Sequence, residues 1–176
     1  MVKIITDTTA CLPTSVQIEY DIPVIPQMIH FGEYSYTEGL DIDDHSFMEK
    51  LRLSQKLPKI SAPPPETFST IFVSHQDKNE PIFCIHPSSH ISGNVRSAET
   101  AKSDYPDLNI TIFDTQLVAS PHGTVVHQAA LWNKNSMPPA ELHQRIIDLS
   151  NRGNIFFLVA TLDYLAQGGR IGGASA

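Results

Sequence analysis

Short apolar runs alternate with amphipathic stretches along most of the chain. Four apolar or alternating runs predict buried strands, at residues 2–6, 81–86, 109–113 and 155–160. Stretches of helical period or composition predict helices at 13–20, 94–103, 123–132 and 139–151, and further helices beginning at Asp43 or Asp44 and at Glu66. Strands that alternate with helices are typical of a parallel sheet covered on both faces. The pattern therefore predicts an α/β fold with helices on both faces of a parallel sheet.

Prolines and glycines modify this picture in three places. Residues 22–31 read as an edge or irregular strand because Pro23 and Pro26 cannot donate to a sheet ladder. Residues 56–65 read as a proline-rich loop. After the last predicted strand, Thr161 is suited to cap a short helix that ends at Gly168 and Gly169.

Composition limits the size of the fold and the class of partner. The chain has 176 residues, 41% of them hydrophobic, which suits one domain, or one domain with a fragment of another. Its 12 basic and 19 acidic residues give a net charge of -7, so nucleic acid is not expected as a partner. Both cysteines, Cys11 and Cys84, stand alone in apolar stretches and are expected to be buried thiols.

The N-terminus enters a strand at once, without the basic and apolar regions of a signal peptide. No apolar run approaches the roughly 18 residues that cross a bilayer. We therefore expect a cytoplasmic protein with no membrane span.

The polar loops that follow the predicted strands are the candidate site. Residues 7–9, 86–92 and 114–115 lie at the carboxyl ends of strands, where parallel sheets receive ligands. Ser92, Gly93 and Asn94 combine a hydroxyl, a permissive glycine and a helix start, which can donate hydrogen bonds to a carboxylate or a phosphate. The alternative is that Ser92 only caps the following helix.

Other chemistries find weaker support in the sequence. A serine hydrolase using Ser92 would need a nucleophile elbow, and the G-x-S-x-G motif is absent. Asp7 resembles an aspartyl nucleophile, but Thr9 stands where a second acid is expected, so loop capping is the simpler role. Arg170 could contact a phosphate in its glycine-rich segment, which lacks the Lys-Ser/Thr ending of a phosphate loop.

Histidine spacing does not predict a metal site. His86 and His90 are four residues apart, but Pro87 and the predicted strand end exclude the helical geometry that would bring them together. His122 falls in a predicted loop after a strand, close to the candidate site, and is the remaining histidine of interest.

Taken in order, these segments resemble the DegV family of bacterial fatty acid-binding proteins, and the resemblance runs from end to end of the chain. It rests on four segments: IITDTTACLP from Ile4, HFG from His30 with GLDI from Gly39, SSHISG from Ser88, and YLAQGGRI from Tyr164. Each segment is modest by itself, but the ordered set is specific.

The resemblance implies a Rossmann-like N-terminal lipid-binding domain at residues 1–160. Residues 161–176 would then begin the connection to a second domain that this chain lacks. In the family the ligand carboxylate is held by hydroxyls from a T-S-x-P loop and an S-S-x-x-S-G loop. The second loop corresponds to Ser92, whereas in the first Ile60 stands at the usual threonine and Ser61 is the remaining hydroxyl.

The resemblance further implies a carrier rather than an enzyme, with no catalytic residue, metal or cofactor. The expected ligand is a long-chain fatty acid such as palmitate, presented to a fatty acid kinase or moved in lipid transport. Arg170 and His122 are lesser candidates for contact with the head group or a partner. Residues 119 and 121 depart from the family's usual serine and glycine. The competing hypotheses are a phosphate-handling α/β transferase using Asp7 and Arg170, and a structural or regulatory domain without a ligand.

Overall fold

The computed structural model describes residues 1–54, 56–75 and 80–169. These residues form two compact units, each described here by itself. The first unit is Met1–Ile25 with Ala62–Ile155, and the second is Pro26–Ser61 with the chain from Phe156 onward. The domain boundary expected at residue 160 stays a prediction.

Seven strands and seven α-helices are present among the described residues. The strands are β1 (Lys3–Asp7), β2 (Val24–Ile25), β3 (Met28–Phe31), β4 (Tyr34–Thr37), β5 (Lys59–Ser61), β6 (Ile82–His86) and β7 (Ile110–Asp114). The helices are α1 (Thr14–Glu19), α2 (Asp44–Leu53), α3 (Pro65–Ser74), α4 (Asn94–Lys102), α5 (Ala119–Lys134), α6 (Pro139–Arg152) and α7 (Asp163–Gln167). A single 3-10 turn, Thr8–Ala10, follows β1.

The first unit is built on a four-stranded parallel sheet in the order β2-β1-β6-β7. Ile5 lies beside Cys84, and Cys84 beside Ile112, so the three longer strands are in close register. Parallel strands buried on both faces need apolar side chains in both directions, which explains the nearly unbroken apolar runs of the sequence.

Helices cover both faces of this sheet, as the sequence predicts. On one face, α3 and α4 pack on the sheet at Ile5 and Cys84. Phe68 and Phe72 of α3 are fully buried in this core. We call this the α3–α4 face. On the other, the α5–α6 face, the core members include Ile4, Phe83, Ile85, Val125, Leu142 and Ile146. The predicted α/β fold class is confirmed.

The second unit contains an antiparallel sheet in the order β4-β3-β5. Gly32, with φ +60, makes the turn between β3 and β4 in the left-handed conformation that glycine adopts without strain. The prediction of a loop at 56–65 is wrong for Lys59–Ser61, because these residues form β5 and pair with β3. This stretch lies between Pro58 and Pro63, so its own N–H groups remain available to a ladder.

The irregular strand predicted at 22–31 is two strands. β2 lies at the edge of the parallel sheet, as its prolines suggested, while β3 is the central strand of the antiparallel sheet. The break falls at Pro26 and Gln27, between the two strands. A residue without an N–H cannot continue the β2 ladder, so the chain is free to leave that sheet here.

Two other sequence predictions are wrong, one about where a helix begins and one about a strand. Helix α5 begins at Ala119 rather than at residue 123, because Pro121 is tolerated in the first turn of a helix. The core strand predicted at 155–160 is wrong: no strand forms there, and the Phe156 side chain is 91% exposed. None of the described strands pairs with this segment, and an apolar run becomes a strand only where a neighbour accepts it.

The two cysteines have opposite environments. Cys84 is fully buried, as expected, and burial raises the pKa of its thiol. Cys11 is exposed, so the predicted burial is wrong there. It ends the 3-10 turn with φ 49, in the left-handed region, where the chain changes direction at the surface. Among the described residues, no helix is long and apolar enough to cross a membrane.

Candidate functional site

The carboxyl ends of three neighbouring parallel strands bring polar residues to one edge of the sheet. Asp7 ends β1, His86 ends β6 and Asp114 ends β7. Asp7 and His86 are completely buried, and Asp114 is half-buried. The sequence-based expectation that these strand ends lie together is confirmed by the pairing of β6 with β1 and β7.

Asp7 and His86 form a buried ion pair or hydrogen-bonded pair, with 2.7 Å between His86 Nδ1 and Asp7 Oδ2. The Asp7 carboxylate also accepts from the Thr9 N–H at 3.0 Å and from the Thr9 hydroxyl. Burial by itself would raise the pKa of Asp7. The hydrogen bond and charge of His86, together with the hydrogen bond from Thr9, outweigh burial, so the pKa of Asp7 is lowered. Asp7 is therefore ionised at neutral pH, so Nδ1 carries a proton and donates it.

The predicted capping role of Asp7 is confirmed, because Asp7 is the N-cap of the 3-10 turn. Its bond to His86 was missed by sequence reasoning. The signal was present in the positions, since both residues end predicted strands, but the sequence does not say which strands are neighbours.

A second buried histidine, His122, lies on the α5–α6 side of the same edge. Its Nε2 is 3.3 Å from Thr6 Oγ1, and its Nδ1 is 3.4 Å from Thr115 Oγ1. These hydroxyls donate to the backbone carbonyls of Ile85 and His86, both at 2.9 Å. Burial lowers the pKa of His122 to about 4, against the opposing charge of Asp7, so the ring is neutral at physiological pH. The predicted loop position is wrong, because residue 122 lies inside α5.

The serine loop after β6 is tied to the end of β7. The Ser88 N–H donates to the Leu117 carbonyl at 2.8 Å, and the Ser89 N–H lies 3.3 Å from both oxygens of Asp114. The Ser88 carbonyl in turn accepts from the N–H groups of Ile91 and Ser92, each at 3.1 Å. This bonding fixes the path of the chain up to Ser92.

Ser92 stands just before α4 and is half-buried. Its hydroxyl oxygen accepts from the Asn94 N–H at 3.3 Å. The N-cap residue of α4 is Gly93, so the predicted N-cap position of Ser92 is wrong by one residue, although its hydroxyl does bond a first-turn N–H. Within the described part of the chain the Ser92 hydroxyl donates to no acceptor, which leaves its proton for a ligand.

Gly93 ends this loop, and Asn94 begins α4. Gly93 is exposed, and a Cβ at this position would lie 3.2 Å from Ala62 Cβ, so the segment after β5 packs closely on the start of α4. Ser97 reinforces that contact by donating to the Pro63 carbonyl at 2.6 Å. Asn94 is fully buried, and neither Nδ2 nor Oδ1 of its side chain has a hydrogen-bond partner among the described residues.

The other predicted site residues lie elsewhere. Ile60 and Ser61 belong to β5 in the second unit, where Ile60 is 54% exposed. The Ser61 hydroxyl is 2.8 Å from His30 Nε2, and His30 Nδ1 is 2.8 Å from the Ser35 hydroxyl. Arg170 lies outside the described residues. Within the described ranges, no group of three or more histidine, cysteine or acidic side chains is arranged to hold a metal ion.

Of the predicted site residues, the structure thus places Ser92, Gly93 and Asn94 together at the start of α4 and Ile60 and Ser61 together in β5. The unpaired side chain of Asn94 was missed, because the sequence analysis considered this residue as part of a helix start. A polar residue in phase with the apolar face of α4 was the available signal.

The folded arrangement is that of one protein family. The family model described as uncharacterised protein, DegV family, matches residues 1–176. A DegV domain-containing protein from Clostridium perfringens is 31% identical over 97% of this chain and 61% of its own length. The chain belongs to the DegV family.

Two solved structures are similar over nearly the whole chain. A stearic acid-binding protein from Eubacterium ventriosum matches with a TM-score of 0.92 and 30% identity, covering 100% of this chain and 62% of that one. A DegV family protein from Thermus thermophilus, described by its fatty acid binding, matches with a TM-score of 0.90 and 27% identity, covering 98% and 61%. The chain therefore spans a little over three fifths of the length of the relatives it matches.

Proposed function

We propose that this chain is part of a fatty acid carrier, which binds a long-chain fatty acid such as palmitate and holds its carboxylate with serine hydroxyls. The observation that carries the proposal is the Ser92 hydroxyl, whose proton is uncommitted beside the start of α4. Donors at a helix start suit a carboxylate. The similar proteins that bind fatty acids support this choice of anion over a phosphate.

Ser92 is the principal donor in this proposal, with Gly93 and Asn94 beside it. Ile60 offers no donor where the family usually has threonine, and the loss of one hydrogen bond to a charged group costs about 1.5–3 kcal/mol. Ser61 is the proposed substitute, and the ligand would compete with His30 for its hydroxyl. Arg170 and His122 remain proposed contacts for the head group or a partner.

A carrier needs little chemistry besides these donors. An acyl chain of about fourteen methylenes, each worth roughly 0.8 kcal/mol on burial, supplies most of the binding free energy. We therefore propose a protein without catalytic activity or a cofactor, which acts in the cytoplasm. A fatty acid kinase is the proposed partner, since chemistry on the carboxylate then takes place elsewhere.

The enzymatic alternatives fit the geometry less well. A phosphate-handling transferase would use Asp7 as its nucleophile, but this carboxylate is fully buried and bonded to His86 and Thr9. A serine hydrolase would need a base at Ser92, and within the described ranges no histidine bonds to its hydroxyl. Among the described residues, neither alternative has an observation in its favour.

Native mass spectrometry of the full-length protein expressed in bacteria tests the proposal. We expect fatty acids of about sixteen or eighteen carbons to be retained without added ligand. Ser92→Ala should weaken retention by about tenfold, which corresponds to about 1.4 kcal/mol. Ser103→Ala, at the exposed end of the same helix, is the matched control and should retain lipid normally.

If Ser92 served only the helix, Ser92→Ala would instead lower the unfolding free energy by about 1 kcal/mol and leave lipid retention unchanged. A full-length wild-type protein that carries no lipid would contradict the carrier function itself.

A further inference from the structure

Three polar side chains form a row across the antiparallel sheet β4-β3-β5. His30 lies on the central strand, with 2.8 Å between its Nδ1 and the Ser35 hydroxyl of β4, and 2.8 Å between its Nε2 and the Ser61 hydroxyl of β5. Within the described part of the chain, these two contacts are the side-chain hydrogen bonds of all three residues. The imidazole thus joins one hydroxyl on each side.

The row lies on the face of this sheet that points away from α2. Successive residues of a strand face opposite sides, so Phe31, which follows His30 in β3, points to the other face. There its ring lies 5.8 Å from that of Phe47, which belongs to α2. Among the described helices, α2 therefore packs on the Phe31 side, whereas the side chains of Ser35 and Ser61 on the opposite side are exposed. We call this opposite side the open face.

Ser61 presents its hydroxyl on the open face, and the residue before it does not. Ser61 is paired with Met28, and Ile60 is paired with Ile29. Residues that lie opposite each other on neighbouring strands share a face, and Met28 shares the face of His30 because the two are separated by one residue. A ligand on the open face therefore meets the Ser61 hydroxyl rather than the side chain of Ile60.

The direction of the two hydrogen bonds depends on a single ring proton. A neutral imidazole donates from one nitrogen and accepts at the other. If Nδ1 of His30 carries the proton, it donates to Ser35, and Nε2 accepts the proton of Ser61. If Nε2 carries the proton, it donates to the Ser61 oxygen, and Nδ1 accepts from Ser35. Of these two arrangements, the second leaves the Ser61 proton free for another acceptor.

We propose that His30 is a positioning residue for the ligand, and that a carboxylate bound at Ser61 fixes the imidazole with its proton on Nε2. This inference rests on the proposed function, in which Ser61 donates to the carboxylate. An ionised carboxylate only accepts hydrogen bonds, so it can take only a bond that Ser61 donates. The ring proton thus decides the competition between the ligand and His30 for this hydroxyl.

Ser35 makes both arrangements available because a hydroxyl can reverse its hydrogen bond. It accepts from Nδ1 of His30 in one tautomer and donates to Nδ1 in the other. The ring loses one proton at Nδ1 and gains one at Nε2, so the net charge of the row stays the same. The hydroxyl of Ser61 is therefore oriented toward the ligand without bringing a further charge to the open face.

A double-mutant cycle in the full-length, delipidated protein tests the link between His30 and Ser61. The affinity for dodecanoate, measured by calorimetry, should fall about fivefold in Ser61→Ala and by a similar factor in His30→Ala, the size of effect that one hydrogen bond has. The double variant should bind no more weakly than Ser61→Ala, because His30 acts through the Ser61 hydroxyl. Losses that multiply in the double variant would overturn the role of His30.

His30→Gln tests whether a donor at the position of Nε2 is what matters. The glutamine amide reaches about as far as Nε2 and can donate to the Ser61 oxygen, so affinity should return to within about twofold of the wild type. Binding as weak as that of His30→Ala would contradict the positioning role. His45→Ala is the matched control, because His45 is exposed on α2, and this variant should bind as the wild type does.

Histidine ¹⁵N spectra of the full-length wild-type protein at mildly alkaline pH report on the ring itself. The signals of His30 are those that disappear in His30→Gln. In the dodecanoate-bound protein, Nε2 of His30 should carry the proton. A bound ring with an unprotonated Nε2 would show that the Ser61 proton is still committed to His30, and the inference would be wrong.

The outcomes separate this inference from the proposed function. If Ser61→Ala binds dodecanoate as tightly as the wild type, Ser61 is not a donor, and the role of His30 fails while a carrier that uses Ser92 still stands. If the wild-type protein binds neither dodecanoate nor cellular lipid, the carrier function fails, and the inference fails with it.

Discussion

Two buried histidines at the same edge of the sheet have different hydrogen-bond partners. His86 is bonded to the Asp7 carboxylate, with 2.7 Å between His86 Nδ1 and Asp7 Oδ2. His122 lies between two threonine hydroxyls that already donate to backbone carbonyls, and burial keeps the ring neutral. Residue type alone could not distinguish them.

His122 should make the stability of the protein depend on pH. Its pKa is about 4 in the folded state and 6.5 ordinarily, so the unfolded chain binds the proton first as the pH falls. Stability is then complete above about pH 6.5 and is lost progressively toward pH 4, by up to about 3 kcal/mol. His122→Gln should remove this part of the pH dependence in urea unfolding measured across that range.

The exposed His45 provides the control for that measurement. His45→Gln should keep the wild-type slope, since its side chain is 81% exposed. An unchanged slope in His122→Gln would show that His122 is not the group that titrates.

At the residue scale, sequence reasoning was correct about local bonding and limited about distant contacts. The capping role of Asp7 follows from residues two positions away, and local hydrogen bonds of this kind can be read from sequence. The bond between Asp7 and His86 joins residues 79 positions apart. It depends on the strand order, which no local pattern encodes.

Among the helices, α5 depends on a glycine where it crosses the 3-10 turn after β1. A Cβ at Gly123 would lie 2.1 Å from the Ala10 carbonyl oxygen, a distance that only a backbone shift could relieve. The glycine therefore permits a close approach between α5 and the start of the candidate site.

Gly123→Ala should for this reason destabilise the protein by roughly 3 kcal/mol or more, although alanine is the better helix former. The neighbouring change Thr124→Ala replaces an exposed residue of the same helix and should alter the unfolding free energy by less than about 0.5 kcal/mol. Chemical denaturation of both variants makes the comparison, and equal stabilities would contradict the close approach.

Helices were predicted well at the element scale because the signal for each lies within one segment. Helix α6 begins at Pro139, as predicted, and ends at Arg152, one residue beyond the prediction. A predicted strand formed only where another strand was available to pair with it. Val2–Thr6 and Pro81–His86 found partners and are strands within one residue, whereas the equally apolar run at 155–160 found none.

Among the described residues, that apolar run is a contiguous stretch of exposed apolar side chains. Phe156 and Leu158 are almost completely exposed, and Phe157 and Val159 are partly exposed beside them. Contiguous apolar surface of this kind promotes association, whereas single exposed apolar residues do not.

The 176-residue chain should consequently self-associate with rising concentration, as measured by sedimentation velocity. Phe156→Ser combined with Leu158→Ser should shift the chain toward the monomer. Ile18→Ser, which removes an isolated apolar side chain that is 76% exposed, should leave association unchanged. Equal association of the wild type and the double variant would assign the contact to another surface.

The two thiols differ in exposure, so their rates of alkylation report on unfolding of the parallel sheet. Cys11 meets solvent in the native state, while Cys84 lies in the middle of the central strand pair with its thiol held in the protonated, unreactive form. An alkylating reagent therefore modifies the first thiol at once and reaches the second only when β6 separates from its covering helices. The rate at which Cys84 is alkylated therefore measures unfolding of the sheet that carries the candidate site.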